Sequence, residues 1–120
     1  MDYFFSYDEQ SNLLKVTQSG YWSLEIFDRF KQEFLALHSE ILTRHHSYRV
    51  FAQCTDYPVQ SHEVGEAFSV FFAKLMAENN GRYAILVGSA LNKMQAQRVI
   101  PQPHVKTFTS SDAAMAWLMA

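Results

Sequence analysis

The chain has few of the residues that mark several large classes of protein. Its single cysteine, Cys54, excludes an internal disulfide and fits a reducing cytoplasm. Four glycines and three prolines are too few for a β-sandwich with many short turns. No apolar run approaches the ~20 residues of a membrane span, and the N-terminal segment lacks the basic and apolar regions of a signal peptide. We therefore expect one soluble cytoplasmic domain over residues 1–120.

Aromatic residues are abundant by contrast, with ten Phe, six Tyr and two Trp. Together with a hydrophobic content of 48%, they predict a well-filled core and exclude a disordered segment. Charge is uneven, because residues 1–78 hold 11 acids and 6 Lys or Arg, whereas no acid occurs between Asn79 and Ser111. The basic residues of that acid-free segment form either a face for an anion or an ordinary solvated surface. These basic residues are Arg82, Lys93, Arg98 and Lys106. Four positive charges spread over this segment are too sparse for nucleic-acid binding.

Apolar patterning predicts five strands and four helices. The strands are expected at residues 2–7, 13–18, 48–54, 82–87 and 105–108. The first three helices are expected after Ser23, Ser61 and Ser89, whose hydroxyls can cap free N–H groups, and the fourth at residues 113–119. The order β-β-α-β-α-β-α-β-α predicts an α/β fold, with a mixed sheet of about five strands and covering helices.

The two long helices carry stripes of apolar residues at helical spacing. We expect these stripes to form the core, although they can also line an apolar pocket or the face of a homodimer. The third helix carries Leu91, Met94 and Val99 as its apolar positions. The stripes are Phe27, Phe30, Phe34, Leu37 and Ile41 in the first helix, and Val64, Ala67, Phe68, Phe71, Phe72, Leu75 and Met76 in the second.

The loop between the third strand and the second helix is the first candidate site. Open parallel sheets bind ligands at the carboxyl ends of their strands. Thr55, Asp56, Ser61 and His62 lie in or next to this loop, which we interpret as a candidate switch or partner-binding loop. A helix N-terminus favours phosphate or carboxylate, and a hydroxyl there can be phosphorylated. The alternative is that Ser61 is an ordinary cap and Asp56 part of a turn.

The loop after the fourth strand is the second candidate site, for an anion. Gly88 permits close approach of the backbone, Ser89 can cap a helix, and Lys93 lies one turn further on. The segment lacks the longer glycine-rich run of a phosphate loop.

The sequence contains no recognisable catalytic constellation. Its five histidines lack the paired spacing of a zinc protease and have no pair of cysteines beside them, so we predict no metal site. No dinucleotide fingerprint is present, so we predict no cofactor. Cys54 ends a buried strand and is interpreted as a small core residue rather than a nucleophile. We predict that the protein is not an enzyme, with catalysis by Cys54 or a His–Asp pair as the weaker alternative.

Four features of the chain together resemble the STAS domain, the SpoIIAA-like fold of anti-sigma-factor antagonists. They are the N-terminal hairpin leading through Ser19-Gly20-Tyr21-Trp22 into a long helix, the strand, loop and helix of residues 48–75, the segment RYAILVGS, and the ending VKTFTSSDAAMAWL. The resemblance is to the small stand-alone bacterial members, which are grouped by fold with the CRAL-TRIO lipid-binding proteins.

The resemblance implies a non-enzymatic regulatory switch. In the family, a Ser or Thr at the start of the second helix is phosphorylated by a partner kinase, which controls binding to that partner. The usual motif there is Asp-Ser/Thr-Ser-Gly, and Ser61 is the nearest hydroxyl in this chain. The expected partner is therefore another protein, a regulator or a kinase. The alternative function is binding of a small lipid-like or anionic ligand in an apolar cleft among the Phe-rich helices.

Overall fold

The computed structural model describes residues 2–120 and contains the predicted elements in the predicted order. The strands are β1 (Tyr3–Asp8), β2 (Leu13–Gln18), β3 (Arg49–Cys54), β4 (Tyr83–Val87) and β5 (Val105–Phe108). The helices are α1 (Leu24–Leu42), α2 (His62–Glu78), α3 (Ala90–Val99) and α4 (Ser111–Met119). The last helix begins two residues earlier than predicted, because Ser110 caps it by accepting from the Ala113 N–H.

The five strands form one mixed sheet in the order β1-β2-β3-β4-β5, which confirms the predicted fold class. β1 and β2 pair antiparallel as a hairpin, and all the other pairs are parallel. The carboxyl ends of β2, β3, β4 and β5 therefore lie along one edge of the sheet, which we call the carboxyl edge. The edge at which these four strands begin is the amino edge.

The helices lie on both faces of the sheet. The apolar residues of α1, α2 and α3 share one large core with the sheet, whereas α4 covers the other face over a smaller cluster. Aromatic rings join the two long helices, as between Phe27 and Phe68, whose centroids are 4.7 Å apart. The Phe-rich helix faces that suggested a homodimer are therefore buried against each other within one chain.

The apolar stripe of α1 predicted that Leu37 is buried, but the buried residue at this point of the helix is His38. Leu37 is half-buried, and His38 is buried with both ring nitrogens in hydrogen bonds. Nδ1 lies 2.7 Å from the Tyr48 hydroxyl, and Nε2 lies 2.9 Å from a carboxylate oxygen of Glu78. A buried polar group is tolerated when its partners are present. These partners come from Tyr48, just before β3, and from α2, so helical periodicity alone does not reveal them.

The orientation of α3 leaves its largest apolar residues exposed instead of burying them. Leu91 and Met94 are 63% and 66% exposed, and only Val99 of its three apolar positions packs against the core. The inward side of α3 carries amide side chains instead, which contact the loops described below. Within residues 2–120, no helix combines the length and the apolar character needed to cross a membrane.

Candidate functional site at the carboxyl edge

Three loops meet at the carboxyl edge of the sheet. They connect β2 to α1 (residues 19–23), β3 to α2 (residues 55–61) and β4 to α3 (residues 88–89). The Gly20 N–H donates to the Asp56 carbonyl at 3.1 Å, which joins the first loop to the second. A Cβ at Gly88 would lie 2.6 Å from the Thr55 carbonyl oxygen, so the second and third loops are in direct backbone contact. The two candidate sites of the sequence are therefore neighbours.

Gln60 joins the first two loops through its side-chain amide. The side chain is buried, and its Oε1 accepts from the Trp22 N–H at 2.7 Å. Its Nε2 donates to the Gly20 carbonyl at 3.1 Å and to the Pro58 carbonyl at 2.6 Å. An amide can accept and donate at once, which makes it suited to bridging two backbone segments. Sequence reasoning missed Gln60, because a lone glutamine in a loop gives no local signal.

Two further amides attach α3 to the same loop. Gln95 pairs with the backbone of Gln60, accepting from its N–H at 3.0 Å and donating to its carbonyl at 3.2 Å. Asn92 Nδ2 donates to the Tyr57 carbonyl at 2.5 Å. We call Gln60, Asn92 and Gln95 the amide lock. These bonds satisfy loop backbone groups that would otherwise be left buried without partners, and they fix the position of α3.

Ser61 and Ser89 both cap helices, as the sequence predicted. The Ser61 hydroxyl accepts from the Val64 N–H at 3.2 Å, and Glu63 lies in the first turn of the same helix. The Ser89 hydroxyl accepts from the Asn92 N–H at 3.1 Å and donates to Asn92 Oδ1 at 3.0 Å. Both helix N-termini face the carboxyl edge, so their dipoles favour negative charge there.

The remaining predicted site residues differ in their surroundings. Thr55 and Asp56 are exposed on the second loop. His62 is 88% exposed, and its Nε2 lies 3.2 Å from a carboxylate oxygen of Glu66, one turn further along α2. The ammonium group of Lys93 forms no ion pair or hydrogen bond within residues 2–120, with Ser89 or with any other residue. The predicted residues therefore share an edge of the sheet but form no preassembled constellation.

A small apolar cavity of about 70 Å³ lies beneath these loops, between α2, α3 and the sheet. The Tyr57 hydroxyl is buried at its wall, and the Gln18 side chain, which also lines the cavity, is its neighbouring polar group. Burial raises the pKa of Tyr57 above its ordinary value. The side chains around the cavity include Cys54, Phe68, Phe72, Ile85, Ala96 and Val99.

Cys54 is the only thiol of the chain, and burial raises its pKa to about 12. A thiol nucleophile acts as the thiolate, so this environment opposes catalysis by Cys54. Within the described residues 2–120, no group of three or more His, Cys, Asp or Glu side chains is placed to hold a metal ion. The carboxyl edge presents hydrogen-bonding groups on its loops and apolar side chains on α3 and around the cavity.

We compared the chain with protein-family models, with curated proteins and with solved structures, and none of the three comparisons found a match. Two features are available at the carboxyl edge: the outer surface of the joined loops with α3, and the apolar cavity beneath them.

Proposed function

We propose that this chain is a SpoIIAA-like regulatory module, without enzymatic activity, that binds another protein, a regulator or a kinase, through its carboxyl edge. The observation that carries the proposal is the orientation of α3. This helix turns Asn92 and Gln95 inward to the loops and leaves Leu91 and Met94 largely exposed beside them. Apolar side chains held on a rigid surface next to polar loops are typical of protein-binding patches.

The amide lock makes this surface suitable for recognition. Loops that are fixed before binding lose little conformational entropy when a partner docks. Gln60 and Gln95 hold the second loop against α3, so Thr55, Asp56, Leu91 and Met94 are presented together. A partner with an apolar centre and polar rim is the class that fits this arrangement.

Ser61 is the residue through which such binding can be regulated. Its hydroxyl is half-buried at the N-terminus of α2, where the helix dipole stabilises an added phosphate. The nearby Glu63 carboxylate opposes that phosphate by repulsion. A phosphate would change both the charge and the shape of the loop that holds Thr55 and Asp56. The proposed switch is therefore a change in partner affinity rather than a change in fold.

A photo-crosslinking amino acid at Thr55 tests the proposal in the native host. We expect it to capture one or a few specific proteins, because Thr55 is exposed on the second loop of the proposed surface. The matched control carries the same amino acid at Ser39, which is exposed near the C-terminal end of α1 and faces away from the carboxyl edge. Mass spectrometry of the captured species measures the result.

Changes at Ser61 then separate regulation from stability. Ser61→Ala removes a helix cap and is expected to cost about 1 kcal/mol of stability, whereas Ser61→Asp keeps a capping oxygen. We expect Ser61→Asp to change the yield of the Thr55 crosslink several-fold without loss of thermal stability. Capture of the same proteins from Thr55 and Ser39 would refute the binding surface. Equal yields in wild type and Ser61→Asp would refute the switch.

The cavity supports a second candidate function, binding of a small apolar ligand. Its wall places the buried Tyr57 hydroxyl and the Gln18 amide among apolar side chains, which is the usual pattern of a ligand pocket. Its volume of about 70 Å³ admits only a small molecule or the end of a longer one.

Native mass spectrometry of protein from its own host tests this second candidate. We expect the wild-type protein to carry the added mass of a bound ligand. We expect Ala96→Leu to lose this mass, because Ala96 lines the cavity and the larger leucine side chain would occupy its space. Circular dichroism confirms that the variant is folded. A wild-type mass equal to that of the bare chain would count decisively against ligand binding.

A further inference from the structure

A second, polar cleft lies at the amino edge of the sheet, opposite the proposed partner surface. Its volume is about 490 Å³, and the surrounding side chains are mainly polar. Two arginines stand in its wall, Arg49 at the start of β3 and Arg82 immediately before β4. The two are brought together by the parallel pairing of these strands, since the Val50 N–H donates to the Arg82 carbonyl at 3.0 Å. Ser11, Asn12, Ser47 and Asn80 also line the cleft.

Both arginines are held in place by backbone carbonyls. Arg49 Nη1 donates to the Ser11 carbonyl at 2.5 Å. Arg82 Nη1 donates to the Trp117 carbonyl at 2.5 Å and more weakly to the Ala120 carbonyl at 3.5 Å, and its guanidinium stacks 5.3 Å from the Trp117 ring centroid. A guanidinium has five N–H donors. Each of these two therefore keeps donors for a ligand while its position is already fixed.

Neither guanidinium bonds to an Asp or Glu side chain in the described part of the chain. Within residues 2–120, Arg49 and Arg82 form no ion pair, and no Asp or Glu lines the cleft. Arg44 is different, because its guanidinium pairs with Glu9 at 3.1 Å and with Glu40 at 3.6 Å. The closest acid in sequence to the cleft, Glu9, is thus already occupied by another cation. The Asp8 carboxylate accepts from the hydroxyl of Ser11, a residue of the cleft wall, at 2.6 Å, so it is engaged as well. Arg49 and Arg82 thus stand in the wall of a polar cleft with no Asp or Glu side chain among the described residues bonded to either guanidinium.

Lys106 adds a third positive charge near this position. Its ammonium nitrogen lies 6.0 Å from the centroid of the same Trp117 ring on which Arg82 stacks. The basic residues of the acid-free segment after Asn79 therefore lie on opposite faces of the sheet. Arg82 and Lys106 lie beside α4, whereas Lys93 and Arg98 lie on α3 at the opposite face of the sheet. Arg49, from the acidic part of the chain, completes the group at the cleft.

We propose that this cleft binds a phosphate group between Arg49 and Arg82, as part of a small phosphorylated molecule. The planar guanidinium fork matches two oxygens of a phosphate. A phosphate monoester carries a charge of about −1.5 to −2 at neutral pH, which two arginines neutralise. The Ser47 and Asn80 side chains of the wall are suited to the remaining polar groups of such a ligand. The Ser11 hydroxyl already donates to Asp8, and the Asn12 amide already bonds to the Tyr7 hydroxyl and the Ser47 carbonyl. This inference is independent of the function proposed for the carboxyl edge.

Nuclear magnetic resonance titration with inorganic phosphate and with glycerol phosphate tests the inference, with chloride added to a reference sample at equal ionic strength. We expect saturable shifts of the Ser11, Asn80 and Gly81 amide signals that chloride does not produce. Arg49→Gln should weaken binding about tenfold or more, since a hydrogen-bonded charge contributes about 1.5–3 kcal/mol. Arg29→Gln, an exposed arginine on α1, is the matched control and should leave binding unchanged.

Two further variants keep the result interpretable. Arg49→Lys retains the charge but loses the fork, so we expect intermediate affinity. Arg82→Gln also removes carbonyl contacts of α4, so its thermal unfolding is measured in parallel with its binding. Absence of saturable shifts in wild type, or equal phosphate affinity in Arg49→Gln and Arg29→Gln, would overturn the inference. Vesicles containing phosphatidic acid identify the carrier: Arg49-dependent vesicle binding indicates a lipid headgroup, and its absence with retained glycerol phosphate binding indicates a free phosphate ester.

Discussion

Replacing Phe30 by alanine is expected to lower the free energy of unfolding by about 3–5 kcal/mol. The Phe30 side chain has no solvent exposure, and five aromatic rings surround it at centroid distances of 5.0–5.7 Å. Truncation removes the buried surface and leaves a cavity that rigid neighbours fill poorly. The loss is a large fraction of the ~5–15 kcal/mol that stabilises a typical domain. The five rings belong to Tyr3, Phe5, Trp22, Phe34 and Phe68.

Urea unfolding followed by circular dichroism measures this effect. Val70→Ala on α2 is the matched control, because that side chain is 74% exposed. We expect the control to change stability by no more than about 0.5 kcal/mol. A loss below about 1 kcal/mol for Phe30→Ala would mean that Phe30 is not central to the core, since even a small buried truncation costs that much.

Gly81→Ala is expected to destabilise the protein by about 3 kcal/mol, through the backbone rather than the core. A Cβ at Gly81 would overlap the Tyr48 carbonyl oxygen and lie 2.7 Å from the carbonyl carbon. The Asn79 side chain fixes the two backbone segments at this distance. Its Oδ1 accepts from the Tyr48 N–H at 3.0 Å and from the Gly81 N–H at 3.1 Å, and its Nδ2 donates to the Tyr48 carbonyl at 3.1 Å. Neither side of the contact is a flexible side chain, so the strain cannot be relieved cheaply.

Gly65→Ala is expected to have the opposite effect and to stabilise the protein. A Cβ there would meet only Val99 Cγ2 at 3.8 Å and Gln95 Nε2 at 3.9 Å, which is ordinary van der Waals contact. Because Gly65 lies inside α2, alanine should increase stability by about 0.5–1 kcal/mol. Thermal unfolding of both variants checks the pair. If Gly81→Ala unfolded at the wild-type temperature, the close approach of Gly81 to Tyr48 would be wrong.

These predictions also separate stability from function. Phe30 is buried in the core and Gly81 lies at the amino edge, whereas Thr55, Leu91 and Met94 are exposed residues of the proposed partner surface. Folded protein with reduced stability should therefore keep its crosslinking pattern at Thr55. Ser61→Asp should instead alter partner binding and leave stability nearly unchanged, because it retains a capping oxygen.

The sequence was informative where local physics decides the outcome. The strands and helices lie close to their predicted positions, because period-2 and period-3.6 patterns and capping serines act over a few residues. Ser61 and Ser89 illustrate this, since each accepts from an N–H group three residues further on. The alternation of strands and helices was also enough to predict a mixed sheet with its later strands parallel.

Features that depend on residues distant in the sequence could not be predicted in this way. Gln60 contacts Trp22 across 38 positions, and Gln95 contacts Gln60 across 35. A polar side chain in a loop or on a helix has no periodic signature that distinguishes a buried bridge from a solvated residue. The same reason explains why His38 was overlooked and why the exposed side of α3 was not foreseen.

The sequence by itself determined the order of elements, the caps of the helices and the position of two loops at the end of parallel strands. Only the tertiary structure decided that those loops are joined by the amide lock, that Leu91 and Met94 remain exposed, and that Arg49 meets Arg82 at the opposite edge. The physical reason is that periodicity and capping are short-range effects, whereas burial, hydrogen-bond satisfaction and charge pairing depend on which segments the sheet brings together.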